Sequence, residues 1–493
     1  MTNIPQLSAK LLPTLPDSIL RPTYDRSSLT PGIVHIGVGN FHRAHQSWYL
    51  HRLMQQGLAH DWAIIGAGVR HFDGQMRSTL AKQDYLTTLI ELDPNGSSAE
   101  IVGSMIGYIP VEAGNTSLIL QMADPAIRIV SLTVTEGGYY VNPITGGLDV
   151  SHVDIEHDRK HPERPCTAFG AIVAALQLRR ASGIQAFACQ SCDNLQGNGK
   201  VLRDTIVKLA ALSDLGLAEW ISAECTFPNS MIDCIVPATG SKERALALGF
   251  GIRDPVCVTH ENFRQWVIED KFCAGRPDWE RVGANFSDNV HGHETQKIRI
   301  LNAGHQVVAN AAEVLGIKTI CDAMNHRLIH AMFNKVARQE IVPQVLPVSG
   351  MAPDEYVSLI ERRFLNPAVV DTTRRVAFDG SSRHPGFVLP TVRDALKNNG
   401  DFQGLALAEA AWARMCEGTR EDATQIEPND PFWEELSNLA CAARDAPIRW
   451  LKRRQTYGDL ALNPRFSSAF EQWLKVIYRD GMEAAIQQYM KGK

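Results

Sequence analysis

The stretch KIRILNAGH, Lys297 to His305, carries three side chains whose types suit one reaction. At about 100° per residue, measured from Lys297, His305 falls at about 80° and Asn302 at about 140°. Ile298 and Leu301 lie in the same arc, so the polar groups share their face with aliphatic neighbours. A buried lysine loses solvation and its pKa falls toward neutrality, which suits a general base. Amide NH₂ groups stabilise a developing alkoxide without taking up its proton, and an imidazole can hold a substrate hydroxyl. Together the three describe alcohol oxidation with hydride transfer to a nicotinamide, and they require no metal. The helix alone equally allows a lysine that snorkels to water, with Asn and His bonded to backbone.

Further polar groups stand where strands should end, the place at which open parallel sheets bind ligands. They are Thr135 and Glu136 in TVTEGGYY and Asp193 and Asn194 in SCDNL, while a third polar cluster, FPNSMIDCIVP, holds Asn229 and Asp233 between apolar residues. Each alone also suits a cap or a loop. GIVHIGVGNFHRAH has the strand, glycine turn and helix of a dinucleotide-binding unit. Gly37 would permit the turn and Gly39 the approach of a pyrophosphate to the helix N-terminus, while His42 replaces the third glycine of the fingerprint. GAGVRHFDG then places Arg70 and Asp73 where the adenosine ribose would lie. A carboxylate there accepts from the 2′-hydroxyl and repels a 2′-phosphate, favouring NAD, whereas Arg70 argues for NADP; the reading adopted is NAD. HGHE is a poor metal site, since His291 and His293 would diverge on a helix, and Cys189 and Cys192 lack a second ligand pair. No metal is expected.

The elements that must position these groups alternate in the first part of the chain. GIVHIGVG (32–39), DWAIIGAGV (61–69), IRIVSLTVTEGGYY (127–140), IQAFACQSC and VCVTH (256–260) read as strands. FHRAHQSWYLHRLMQQG and TAFGAIVAALQLRRASG read as helices between them, which predicts βαβ units and a mostly parallel sheet. The first twenty residues are punctuated by proline and should drape over the surface. From Glu294 onward the pattern is helical, so a boundary is expected near residue 288, with one domain over 1–288 and another over 289–493. The 493 residues suit two domains. A net charge of −5 from 49 basic and 54 acidic residues leaves no footprint for nucleic acid. No run of 18 apolar residues occurs and MTNIPQLSAK lacks a signal-peptide core, so neither a membrane span nor export is expected and the cytoplasm is the expected location. Oligomeric state is not legible.

Taken together, IVHIGVGNFHRAHQ, IVSLTVTEGGYY, SCDNL, FPNSMIDCIVP, FRQWVIEDKF, GRPDWERVG and KIRILNAGH, in that order, resemble the polyol-specific long-chain dehydrogenases of the mannitol dehydrogenase family. The resemblance runs from about Arg21 to the C-terminus. It implies an α/β N-terminal Rossmann-type domain, a mostly α-helical C-terminal domain and no zinc. It also implies Lys297 as general base, Asn194 and Asn302 as oxyanion-hole donors and His305 as the substrate-orienting histidine. Asp233 and Arg375 would line the polyol site, and Glu294 would gate proton movement from one turn before the lysine. Ile36, Gly37, Val38, Gly39, Asn40, Phe41, His42 and Arg43 would form the cofactor turn, with Asp73 as the ribose carboxylate and Thr135 and Glu136 beside it.

Three departures from the family's strings stand out: NAGH for NGSH or NGGH, HENF (260–263) for CEPF, and Phe72 in place of a second acid. GIVHIGVGNFHRAH and TEGGYY are closer to the mannitol-oxidising members than to the fructuronate-reducing ones. The expected reaction is therefore NAD-dependent oxidation of D-mannitol to D-fructose, with D-arabinitol or D-sorbitol as further substrates. The alternative is reduction of a keto-uronate such as fructuronate, whose carboxylate would want an extra cation from Arg383 or Lys271.

Overall fold

A computed structural model describes residues 4–142 and 145–492. The chain divides into two compact units, one ending at His291 and the other beginning at Gly292.

The first unit is built on five parallel strands: β1 (Pro31–Ile36), β2 (Ala63–Ala67), β3 (Met105–Tyr108), β4 (Ile129–Leu132) and β5 (Ala188–Ser191). Their order in the sheet is 3-2-1-4-5. Alternate residues serve opposite faces, as the two-residue period of a strand requires. Val34, Ile36, Val130 and Leu132 pack with Phe169, Ile172 and Leu176 of the helix Ala168–Ala181. Ile33, Ile64 and Ile129 pack with Tyr49, Leu53 and Trp266 on the other side. Burial on both faces explains why these strands read as continuous apolar runs. The sheet order reverses between β1 and β4, which creates a crevice beyond their carboxyl ends.

Several sequence expectations change. The strand expected over 127–140 stops at Leu132, because the chain beyond it turns to line the crevice. The helix expected from Phe41 to Gly57 is broken at His45, whose φ of −119° and ψ of −89° are not helical, giving Asn40–Ala44 and Gln46–Gln55. The strand near VCVTH forms as Val258–Glu261 but belongs to another sheet, pairing with Thr87–Asp93 of a hairpin whose other arm is Gly96–Val102. The N-terminal extension does more than drape. Leu7, Leu15 and Ile19 are buried against Leu86, Ala99, Ile101 and Ile252.

The second unit is helical. Its core joins the helices Ala303–Val314, Gln403–Met415 and Pro464–Asp480 through residues such as Val307, Leu405, Ala411, Phe470 and Trp473. Three segments are wound as π-helix: Lys297–Asn302, Val336–Ile341 and His384–Val388. The first packs against both of the others. Such i→i+5 turns are rare and concentrate at functional sites.

Candidate active site

A cavity of about 490 Å³ opens at the carboxyl ends of β1, β2 and β4. Ile36, Gly37, Val38 and Gly39 form one wall, Arg70 and Asp73 a second, and Thr133, Val134 and Thr135 a third. Gly37 has φ +97°, and a Cβ there would lie 2.3 Å from the Thr133 carbonyl oxygen. Only glycine fits this turn, for conformation and for space. The Gly37 carbonyl accepts from the Thr133 hydroxyl at 2.6 Å, tying the turn to the end of β4.

The Asp73 carboxylate accepts from the Arg70 N–H at 2.9 Å, and burial raises its pKa. The Arg70 guanidinium turns away from it, donating to the Tyr140 hydroxyl at 2.7 Å and to Asp154 at 3.3 Å; Tyr140 itself donates to Asp154 at 2.8 Å. Neither Tyr140 nor Asp154 was singled out in the sequence, since they lie 70 and 84 residues from Arg70.

The rest of the glycine-turn residues serve the turn from behind. Asn40 donates to the Pro237 carbonyl and the Thr239 hydroxyl, and its own oxygen accepts from Arg43 at 2.7 Å. Arg43 is buried and also donates to the Val256 and Gly39 carbonyls. Both line a neighbouring cavity of about 480 Å³, reached past Met76, which borders the two. Phe41 stacks on His45, and His42 stacks on His35 with centroids 3.4 Å apart. Burial pushes the His42 imidazole down to about 3 and His45 likewise to about 3. His42 thus fills the core beneath the turn where the fingerprint has glycine. Glu136 is exposed and opens the short helical turn Glu136–Tyr139.

Thr135, in the third wall, is under backbone strain, with φ 66° and ψ 164°. That region belongs to glycine, and another residue held there costs about 1–3 kcal/mol. Asp193, buried at the end of β5, accepts from the Thr135 N–H at 2.8 Å, from the Val134 N–H at 3.2 Å and from the Tyr139 hydroxyl at 2.8 Å. Burial raises its carboxyl to about 6. Asn194 follows it and is exposed. Asp233 ends the buried strand Ser230–Asp233, where the His45 ring feels its charge.

In the second unit Lys297 and Asn302 are the first and last residues of a π-turn. The Ala303 N–H bonds to the Ile298 carbonyl, five residues back. This i→i+5 winding departs from the 3.6 residues per turn on which the α-helical spacing rests. The angle of about 140° that uniform α-helical spacing gives between them therefore does not apply across this turn. Lys297 is 8% exposed and Glu294, on the preceding turn, 5%. His305 stacks on Phe364 at 4.3 Å, and its buried Nε2 has no hydrogen-bond partner among the described residues. Burial lowers its pKa to about 4; Asp371 opposes that shift, while Arg375, Arg363 and Arg383 reinforce it.

Arg375 is itself gripped by Asp371, donating from Nε at 2.7 Å and Nη2 at 2.6 Å. Arg383 donates to the Val376 carbonyl at 2.6 Å. The structure therefore gathers His305, Arg375 and Arg383 with two residues the sequence reading passed over, Asp371 and Arg363. Asp371 lies outside the short helix Thr373–Val376 that carries Arg375, so helical spacing gave no signal for it, and Arg363 had none either.

The comparisons with known proteins cover nearly the whole length of the chain. The mannitol dehydrogenase Rossmann domain matches residues 31–281 and the mannitol dehydrogenase C-terminal domain residues 289–478. A mannitol 2-dehydrogenase of Cereibacter sphaeroides is 53% identical over 473 residues, covering 96% of this chain and 99% of its own. One of Aspergillus clavatus is 37% identical over 477 residues, 95% of each. Among solved structures, a Pseudomonas fluorescens mannitol 2-dehydrogenase in ternary complex with NAD and D-mannitol is 36% identical with a TM-score of 0.87, over 99% of this chain and 100% of that one. A substrate-free D-sorbitol dehydrogenase is 33% identical with a TM-score of 0.90, over 98% and 100%. With both domain models matched in order and relatives aligned end to end, this chain belongs to the mannitol dehydrogenase family.

Proposed function

We propose that this chain is an NAD-dependent polyol dehydrogenase that oxidises D-mannitol to D-fructose. The observation that carries the reading is the 53% identity to a mannitol 2-dehydrogenase across nearly the whole of both chains. The crevice fits a dinucleotide: a glycine turn that a Cβ would obstruct, at the point where the sheet order reverses, with Asp73 on the β2 side. Asp73 and the engagement of Arg70 with Tyr140 and Asp154 favour the nucleotide without a 2′-phosphate.

Bound NAD supplies the acceptor for the hydrogen lost from carbon. Lys297 takes the proton of the secondary hydroxyl, and its place on a buried turn keeps bulk water from competing for that role. Asn302 and Asn194 donate amide N–H groups to the oxygen as negative charge develops. His305, neutral at ordinary pH, offers Nε2 to a hydroxyl of the substrate. Asp233 and Arg375 bind further hydroxyls, with Arg383 behind Arg375, and Glu294 exchanges the lysine's proton with solvent. Lysine and amides suffice for this chemistry without a metal ion.

Lys297→Ala tests the reading: NADH formation dependent on D-mannitol should fall at least about 1000-fold while NAD binding persists, and unchanged turnover would sink it. A panel of polyols and keto-uronates with both nucleotides, run with and without chelator, tests substrate, cofactor and metal independence together. The likeness to a D-sorbitol dehydrogenase favours D-sorbitol as a second substrate in that panel.

A further inference from the structure

We infer that Asp193 is a positioning residue for the dinucleotide and acts through Thr135, an inference that rests on the dinucleotide reading of the crevice. Asp193 stands at the end of β5, and its carboxylate reaches sideways to the neighbouring strand's exit. Oδ1 accepts the Thr135 N–H, while Oδ2 accepts the Val134 N–H and the Tyr139 hydroxyl. One buried side chain therefore holds both flanks of the turn over residues 134–139.

The turn needs holding. Thr135 has a backbone conformation that only glycine adopts at ease, and such a conformation persists only where its surroundings over-determine it. Thr133, Val134, Thr135 and Gly138 line the crevice, whereas Asp193 does not. Its influence on a bound nucleotide must pass through the wall it fixes. A second anchor completes the clamp: Tyr139, fully buried, also shares a 2.6 Å hydrogen bond with the Ser191 hydroxyl on β5. Replacing one carboxylate oxygen by an amide NH₂ sets donor against donor at Val134 or Thr135, and the strained turn is then free to relax.

The test is a double-mutant cycle read by NADH fluorescence titration of the full chain. Wild type must bind NADH; if it does not, the dinucleotide reading fails rather than this inference. D193N should weaken NADH binding about tenfold. In a T135G background, where the backbone needs no restraint, D193N should change the dissociation constant by less than about threefold. Unchanged binding in D193N, or the same loss in both backgrounds, overturns the inference. If D193N does not fold, hydrogen exchange of the ligand-free wild type decides. The amides of Val134 and Thr135 should be protected as well as those of β4, and exchange at the rate of an open loop overturns the proposal.

Discussion

At the residue scale the most constrained atom in the crevice is one that is missing, the Cβ of Gly37. With φ +97° and the Thr133 carbonyl 2.3 Å from where that carbon would sit, Gly37→Ala must distort either the turn or β4. The left-handed backbone alone costs an alanine about 1–2 kcal/mol. Gly37→Ala should therefore lower the melting temperature and weaken NADH binding at least about tenfold, measured by thermal unfolding and titration of the same sample. Asp371 is the residue whose loss should separate substrate from cofactor. It accepts two short bonds from Arg375, and its charge opposes that of three arginines around His305. Hydrogen bonds to charged groups are each worth about 1.5–3 kcal/mol. Asp371→Ala should raise the KM for polyol about tenfold or more, with the KM for NAD little changed in steady-state kinetics.

At the scale of elements, what was legible depended on whether an element follows one regular period. Four of the five strands of the main sheet did, and each overlaps the run expected for it, whereas β3, Met105–Tyr108, was not read from the sequence. The hairpin Thr87–Val102 escaped notice although TTLIELDPNGSSAEIV carries a turn signal in its centre; its polar second arm, GSSAEIV, hides the alternation. The π-turn at Lys297 could not be read at all, because spacing arithmetic assumes a constant twist. The sequence pattern put the three polar groups on one face, and the π-turn changes the spacing between Lys297 and Asn302. The same limit applies to His305 and Arg375. The imidazole's type and, for Arg375, the family resemblance pointed to a polyol site, but the Asp371 carboxylate that bonds Arg375 and acts on the ring depends on a fold that no local pattern encodes.

At the scale of the molecule the number of buried imidazoles sets a response to acid. His35, His42, His45 and His260 are buried, and burial holds each well below the usual histidine range, with the last three at about 3. A histidine kept neutral in the folded state stabilises it fully above about pH 6.5 and progressively less as pH falls toward the folded value. Each contributes about 1.4 kcal/mol per pH unit across that window. Two buried carboxyls work in the opposite sense. Asp193, raised to about 6, and Glu340, raised to about 7, favour their protonated forms and so oppose the loss between about pH 4 and those values. Burial also lowers His51, His293 and His305 and raises Asp73 and Asp379, so seven imidazoles stand against four carboxyls. Denaturant unfolding should show stability declining from about pH 6.5 to pH 4.5, and a flat profile over that range would contradict the burial of these rings.

The clasp of Arg70 by Tyr140 and Asp154 has a consequence for how nucleotide preference could change over evolutionary time. Removing the Asp73 carboxylate alone clears a repulsive charge but recruits no cation, because the nearby guanidinium is already committed. Freeing Arg70 first, by Asp154→Asn, leaves it beside an acid that still disfavours a phosphate. Neither single step is rewarded, so the two sites should show strong positive epistasis. The ratio of NADP to NAD turnover should rise far more in the Asp73→Ser, Asp154→Asn double variant than the product of the single effects. A lineage of this fold would be kept on its present nucleotide by a three-residue bond network at the rim of the crevice.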